Sequence, residues 1–263
     1  MDRSLLTISA PVTAAAAVQE PTKVQAKRKS GVPWRTVISF AVYLVLIPLV
    51  IFIGVKLFAD RKYNLISILI AFLACVPFFI GFEKGKTGAR ELVVIAVMSA
   101  ISVLGRLIFA PIPGFKPVTA IVIITGIAYG MQAGFLTGTL SAVVSNIFYG
   151  QGPWTPFQMF VWGFLGLLAG LLFKRGQKPN AIWLIIIGIV GGVAFSVMMD
   201  IWSVLNIDGT WNWARYLALL VSSLPFMAIY AVSNVIFLLL LTKPFLQKLN
   251  RVKDKYGLFA AKR

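Results

Sequence analysis

The stretch "YGMQAG" (129–134) decides how this chain is divided. It stands between two apolar runs, 118–130 and 132–148, that otherwise read as one continuous helix. At a rise of about 1.5 Å per residue, such a helix overshoots a hydrocarbon core of about 30 Å. Glycine is a poor helix former and a common terminator, so the break is placed at Gly130. The first of the two resulting helices is short. It reaches across a bilayer only where the adjoining loop dips into protein instead of lipid.

The bilayer premise comes from composition. Of 263 residues, 59% are apolar and 13% charged, with a mean hydropathy of +0.88. Soluble domains run nearer half apolar and a quarter charged. The apolar residues also arrive in long blocks, which indicates an all-α integral membrane protein of several spans. A net charge of +17 raises nucleic acid as a partner. The basic residues, however, sit in short inter-helix segments and at the two ends, which fits anchoring at an anionic leaflet and no nucleic acid. The one cysteine, Cys75, lies inside an apolar run, and histidine is absent. Neither disulfides nor a bound metal or cofactor is expected. The N-terminal Ala run precedes its basic cluster instead of following it, so a cleaved signal peptide is not expected.

Eight apolar runs follow: Val37–Ala59, Asn64–Phe82, Glu91–Ala110, Val118–Gly130, Gln132–Phe148, Phe157–Phe173, Ala181–Leu205 and Ala214–Leu241. Lysine and arginine test the division. With the N-terminus in the cytoplasm, the inside set holds the tail, Lys84, Lys86, Arg90, Lys174, Arg175, Lys178 and everything from Lys243 onward. The outside set is Lys56, Arg61, Lys62, Lys116 and Arg215, with Arg106 inside a span. This is the asymmetry of the positive-inside rule, and it favours eight spans with both termini cytoplasmic. Merging the fourth and fifth runs would place the basic C-terminus on the other side from the N-terminal cluster. The charged linker "EKGKTGAREL" (83–92) marks a change of composition. The expected organisation is a cytoplasmic tail (1–36), a two-helix extension (37–82), a six-helix core (88–250) and a basic cytoplasmic tail (251–263).

Three outside segments of the core carry its polar and aromatic residues. They are "RLIFAPIPGFKPVT" (106–119), "YGQGPWTPFQMFVWG" (149–163) and "DIWSVLNIDGTWNWAR" (200–215). Tryptophan favours the membrane interface for its own amphipathic reasons. Its interleaving here with Asn, Gln, Asp and Gly suits a pocket for a large, partly polar organic ligand. The candidate ligand contacts are Arg106, Phe115, Lys116, Asn146, Gln151, Trp154, Gln158, Trp162, Asp200, Trp202, Asn206 and Trp211. A carboxylate within a span is a functional candidate by default. Asp200 is therefore either a ligand group or the ion-pair partner of Arg106, and the two are compatible. Asn146 has the same double reading, as ligand contact or interhelical hydrogen bond.

No P-loop, no H-E-x-x-H and no paired-carboxylate motif is present, which speaks against catalysis. In "ELVVIAVMSAISVLG" (91–105), Ala96 and Ala100 lie four apart with Ser99 beside them. Small residues at that spacing let another helix approach closely.

The order "RELVVIAVMSAISVLGR", a proline-rich outer loop, "SAVVSNIFYGQGPWTPFQMFVWGFLGLLAGLL" and a basic C-terminus resembles the substrate-binding S-component of energy-coupling-factor (ECF) vitamin transporters, over about residues 88–250. The resemblance implies capture of a vitamin from outside a prokaryotic plasma membrane. It also implies toppling against a transmembrane coupling protein driven by two ABC ATPases. Ala96, Ser99 and Ala100 then face the coupling protein, loop 106–119 acts as a lid, and loops 149–158 and 200–213 line the site. The two N-terminal spans depart from the family pattern. Among such components the chain looks most like those associated with cobalamin, with riboflavin, folate, pantothenate or a thiamin precursor also open. Two other readings stay beside it: a membrane enzyme acting on lipid-linked substrates through Asp200 and Asp208, and a proton-coupled transporter using Asp200.

Overall fold

The structure is a computed structural model and describes residues 34–58, 63–82 and 88–259. Most of the expected N-terminal tail, the 83–87 part of the linker and the last four residues lie outside the described residues. Each apolar run is a helix, and no strand occurs among the described residues.

Helix α1 is continuous from Trp34–Phe40 through a π-helical stretch Ala41–Leu46 to Ile47–Phe58. Pro48 has no N–H, and its ring crowds the carbonyl four residues back. The adjoining turns widen so that the Ile47 N–H donates to the Val42 carbonyl, five residues away. The remaining helices are α2 (Tyr63–Phe82), α3 (Gly88–Ile108), α4 (Val118–Tyr129), α5 (Met131–Tyr149), α6 (Thr155–Leu172), α7 (Ala181–Asp208) and α8 (Trp213–Tyr256). Among the described residues, five segments, in α1, α3, α6, α7 and α8, are long and apolar enough to cross a membrane. The division at Gly130 is real: its φ is +97°, outside the helical range, and its N–H closes α4 on the Gly126 carbonyl at 2.8 Å.

One expected boundary moves. Instead of ending near Leu241, α8 runs on for 44 residues to Tyr256, through Pro225 and Pro244. Apart from Pro244, the basic segment after the apolar run is rich in helix formers, and Leu246 and Leu249 give it a buried face. Lys253 and Lys255 in its last turn complement the helix dipole, and Gly257 (φ 61°) stops it. The first part of the expected C-terminal tail is therefore helix.

Helix α4 is the axis of the fold. All twelve of its residues are buried, so it is hydrophobic all round and has no solvent or lipid face. At about 1.5 Å per residue it spans roughly 18 Å, well short of a hydrocarbon core of about 30 Å. Helices α3, α5, α6 and α8 pack around it. Where α4, α5 and α6 meet, glycines replace side chains. A Cβ on Gly126, Gly134, Gly138, Gly166 or Gly170 would overlap the backbone of the facing helix, so the three helices touch main chain to main chain. Gly188 and Gly192 do the same for α7 against Val235 and Ala231 of α8. The N-terminal hairpin α1–α2 packs on α5 and α6. Tyr43 stacks on Phe135 at 3.9 Å between ring centroids, and the Gln132 amide donates to the Ser39 hydroxyl at 2.8 Å.

Candidate binding site

Because α4 is short, the chain between Ile108 and Val118 has to descend into the bundle to meet it. It does so as a loop held against one face of α8. The Lys116 N–H donates to the Ser233 hydroxyl at 2.9 Å, and that hydroxyl donates back to the Lys116 carbonyl at 3.1 Å. Phe115 and Phe109 pack on Phe237, each with ring centroids 5.0 Å away. Gly114 (φ 75°) supplies the left-handed turn, and a Cβ there would press on Ile229. Ile229, Ser233 and Phe237 are spaced by four, so one stripe of α8 carries the whole clasp.

Beneath the loop lies a polar cluster centred on Arg106, whose residue is only 8% exposed. Its guanidinium donates to the Ser145 hydroxyl and, at 2.8 Å, to the Asn146 side-chain carbonyl. The Asn146 amide donates to Thr155 Oγ1 and Gln158 Oε1, both at 2.9 Å. The Asn146 side chain thus ties α5 to α3 through its carbonyl and to α6 through its amide. The Tyr149 hydroxyl donates to the Arg106 carbonyl at 2.7 Å. The Tyr149 ring lies 4.5 Å from the guanidinium carbon, and the Trp162 ring lies 5.3 Å from it.

Aromatic faces continue from there. Trp162 stacks on Phe195 at 5.2 Å, Phe195 meets Tyr230 edge-on at 5.1 Å, and the Lys116 ammonium sits 4.9 Å over Tyr230. A floor of three rings from α6, α7 and α8 therefore joins the two cations. Burial, with Arg106 nearby, pushes the Lys116 ammonium down to about 7. Between loop and cluster is a cavity of about 160 Å³, bounded by Arg106, Lys116, Tyr149 and the loop residues 109, 110 and 112–114.

Of the expected contacts, Arg106, Asn146, Gln158 and Trp162 form this cluster, Lys116 lines the cavity, and Phe115 fastens the loop. Gln151 anchors its own segment by donating to the Val143 carbonyl at 2.8 Å. Trp154 packs edge-on against Trp202 at 5.8 Å. Gln151 Oε1 and Trp202 Nε1 are buried with no partner, which makes them acceptor and donor in waiting. None of Gln151, Trp154 and Trp202 borders the cavity, and three further residues lie apart from it. Asn206 is exposed. Trp211 packs with Trp213 and Tyr216 at 5.0 and 4.9 Å, in the α7–α8 loop region. Asp200 accepts from the Ser223 hydroxyl of α8 at 2.8 Å, so the expected pairing with Arg106 does not form. Asp208, the other acid of the enzyme reading, is held by Arg215 at 2.9 Å.

The sequence reading missed Tyr149, Ser145, Tyr230, Ser233 and Phe237. The last three share a face of a single apolar run, and a Tyr-x-x-Ser-x-x-x-Phe stripe within a span was the available signal.

On α3, Ala96 and Ala100 are exposed in a strip with Val93, Val97 and Leu104. Ser99 is buried and turns toward the bundle interior, off that strip.

At the opposite end of the bundle, the Phe259 N–H donates to a Glu91 carboxylate oxygen at 2.6 Å, and the Phe259 ring stacks on Tyr129 at 4.3 Å. Arg175 and Asn250 close this end by binding the Phe259 and Gly176 carbonyls. The loop after α3 and the start of α6 thus share one end of the bundle. The start of α3, the α4–α5 junction, the α6–α7 loop and the end of α8 share the other.

No curated protein and no solved structure matches the chain. Residues 90–250 match the family model described as ECF transporter, substrate-specific component. That span takes in α4 to α7 whole and most of α3 and α8, and with them every residue of the cluster under the loop. The chain belongs to this family of membrane-embedded substrate-binding components of ECF transporters.

Proposed function

We propose that this chain captures a vitamin from outside the cell and delivers it inward by toppling against a transmembrane coupling subunit, driven by two partner ABC ATPases. It crosses a prokaryotic plasma membrane eight times with both ends cytoplasmic. The observation that carries the reading is the cavity at one bundle end, where Arg106, Lys116 and Tyr149 face residues of a loop that an aromatic clasp fastens to α8. Support for the topology comes from the alternation of helix ends and from the basic residues gathered at the Phe259 end. The exposed Ala96–Ala100 strip is the proposed coupling face, because its small side chains allow close helix approach.

Cobalamin is the proposed substrate, on the strength of the tryptophan-rich outer segments. Ligand pockets are typically about 300–1,000 Å³, and the cavity is about 160 Å³, so loop 109–117 has to lift before cobalamin can enter. The same small volume favours a second reading, a compact vitamin such as pantothenate that displaces the loop less.

Reconstitution tests the proposal. The chain in proteoliposomes with its coupling protein and ATPases takes up the vitamin when ATP is supplied, and the chain alone does not. Uptake by the isolated chain under a proton gradient would contradict it and favour a secondary transporter working through Asp200.

A further inference from the structure

Among the described residues, the two cations at the cavity have no acid to answer them. Arg106 is held by Ser145 and Asn146, which are neutral, and by the rings of Tyr149 and Trp162. Lys116 lies over the Tyr230 face and, through its backbone, meets Ser233. The carboxylates among the described residues lie elsewhere: Asp200 against Ser223, Asp208 against Arg215, Glu91 with Phe259 at the far end, and Asp254 in the last turns of α8. A buried charge without a counter-charge is unfavourable unless something supplies one. Here two such charges border the same cavity, and their mutual repulsion adds to the penalty.

Resting on the reading of this cavity as the substrate site, we propose that the ligand carries an anionic group that docks between Arg106 and Lys116. The guanidinium, fixed by Asn146 and Ser145 and flanked by the Tyr149 and Trp162 rings, is preorganised to present its remaining N–H groups to an oxyanion. Lys116 adds a second charge from the loop itself, so anion binding also fastens the loop over the ligand. The anion is a carboxylate, as in pantothenate and folate, or a phosphodiester, as in cobalamin. Uncharged riboflavin and cationic thiamin offer nothing to the pair.

The test is calorimetric titration of the purified full chain with pantothenate, folate, cobalamin, cobinamide (which lacks the phosphodiester), riboflavin and thiamin. The variants are Arg106→Gln and Lys116→Met. Lys116→Met keeps side-chain length and leaves the backbone clasp to Ser233 in place, so it remains informative even where Arg106→Gln fails to fold. Binding of one anionic vitamin, weakened about 10- to 100-fold in Lys116→Met, supports the proposal. A preference for cobalamin over cobinamide assigns the anion to the phosphodiester, and tight pantothenate or folate assigns it to a carboxylate. Tight riboflavin or thiamin binding unchanged in Lys116→Met overturns the anion proposal and leaves the substrate-carrier reading standing. Absence of binding by every anionic probe overturns it as well.

Discussion

Asn146 is the residue through which α3, α5 and α6 are joined beneath the loop. Asn146→Ala therefore tests the architecture of the site. The change removes an acceptor from Arg106 at 2.8 Å and a donor from Thr155 and Gln158, both at 2.9 Å. Hydrogen bonds between neutral groups in a membrane bundle contribute about 0.6 kcal/mol on average, and those to a charged group about 1.5–3 kcal/mol. Thr155 loses least, because the Gly152 N–H still donates to it at 3.3 Å. The expected destabilisation is about 3 kcal/mol, of which the guanidinium contact is the larger share. For a chain of this size that lowers Tm by roughly 6–12 °C, measured by thermal unfolding in detergent. A double-mutant cycle with Gln158→Ala isolates one bond: the second substitution costs less in the Asn146→Ala background, by about 0.6 kcal/mol. A Tm within 2 °C of the parent, with full additivity in the cycle, would refute the picture of Asn146 as the hub.

Gly166→Ala drives a methyl into the Gly134 backbone carbonyl, which has no side chain to yield. A loss of at least about 2 kcal/mol in thermal unfolding is expected, and a neutral effect would show that α5 and α6 are not in main-chain contact. Lys116 titrates near 7 in the folded chain against about 10.4 unfolded. Between those values the unfolded state holds the extra proton, so this residue makes stability rise with pH from about 7 to 10. Lys116→Met removes that slope in a Tm–pH series, and superimposable profiles would contradict the assignment. With an anionic ligand, affinity falls as pH rises above about 7, by up to tenfold per unit while the complex stays protonated. Ala100→Trp fills the exposed strip on α3 and abolishes assembly with the coupling protein while leaving ligand affinity within about twofold, read by co-purification and titration. Lost affinity with intact assembly would place the coupling face elsewhere.

The helices were legible because a bilayer imposes length and polarity on every span, and Gly130 was legible because few residues break an apolar run so plainly. The end of α8 was not, because hydropathy falls at Lys243 and Pro244 reads as a stop, while the helix-forming segment beyond them is held by the buried Leu246 and Leu249. Within the site, Arg106, Asn146 and Gln158 stood out as polar residues in or beside spans. Their partners did not. Ser233 meets Lys116 across 117 positions, and Tyr230 and Phe237 acquire their roles only once α8 is laid along the loop. The Arg106–Asp200 pairing was a reasonable inference from depth and sign. It fails because Asp200 lies on the face of α7 that meets Ser223 of α8, while Arg106 turns toward α5. Asn206 and Trp211 sit where α7 ends, and depth along the chain carries no information about which way that last turn faces.

The central claim is that this chain by itself is a complete binding subunit and an incomplete transporter. Titrating the purified chain alone with a vitamin panel, followed by tryptophan fluorescence, tests it most directly, because the Trp162 ring lies against Arg106, which borders the cavity. The account predicts submicromolar, saturable binding of one vitamin without partners or ATP. No binding across the panel by a folded chain would contradict it.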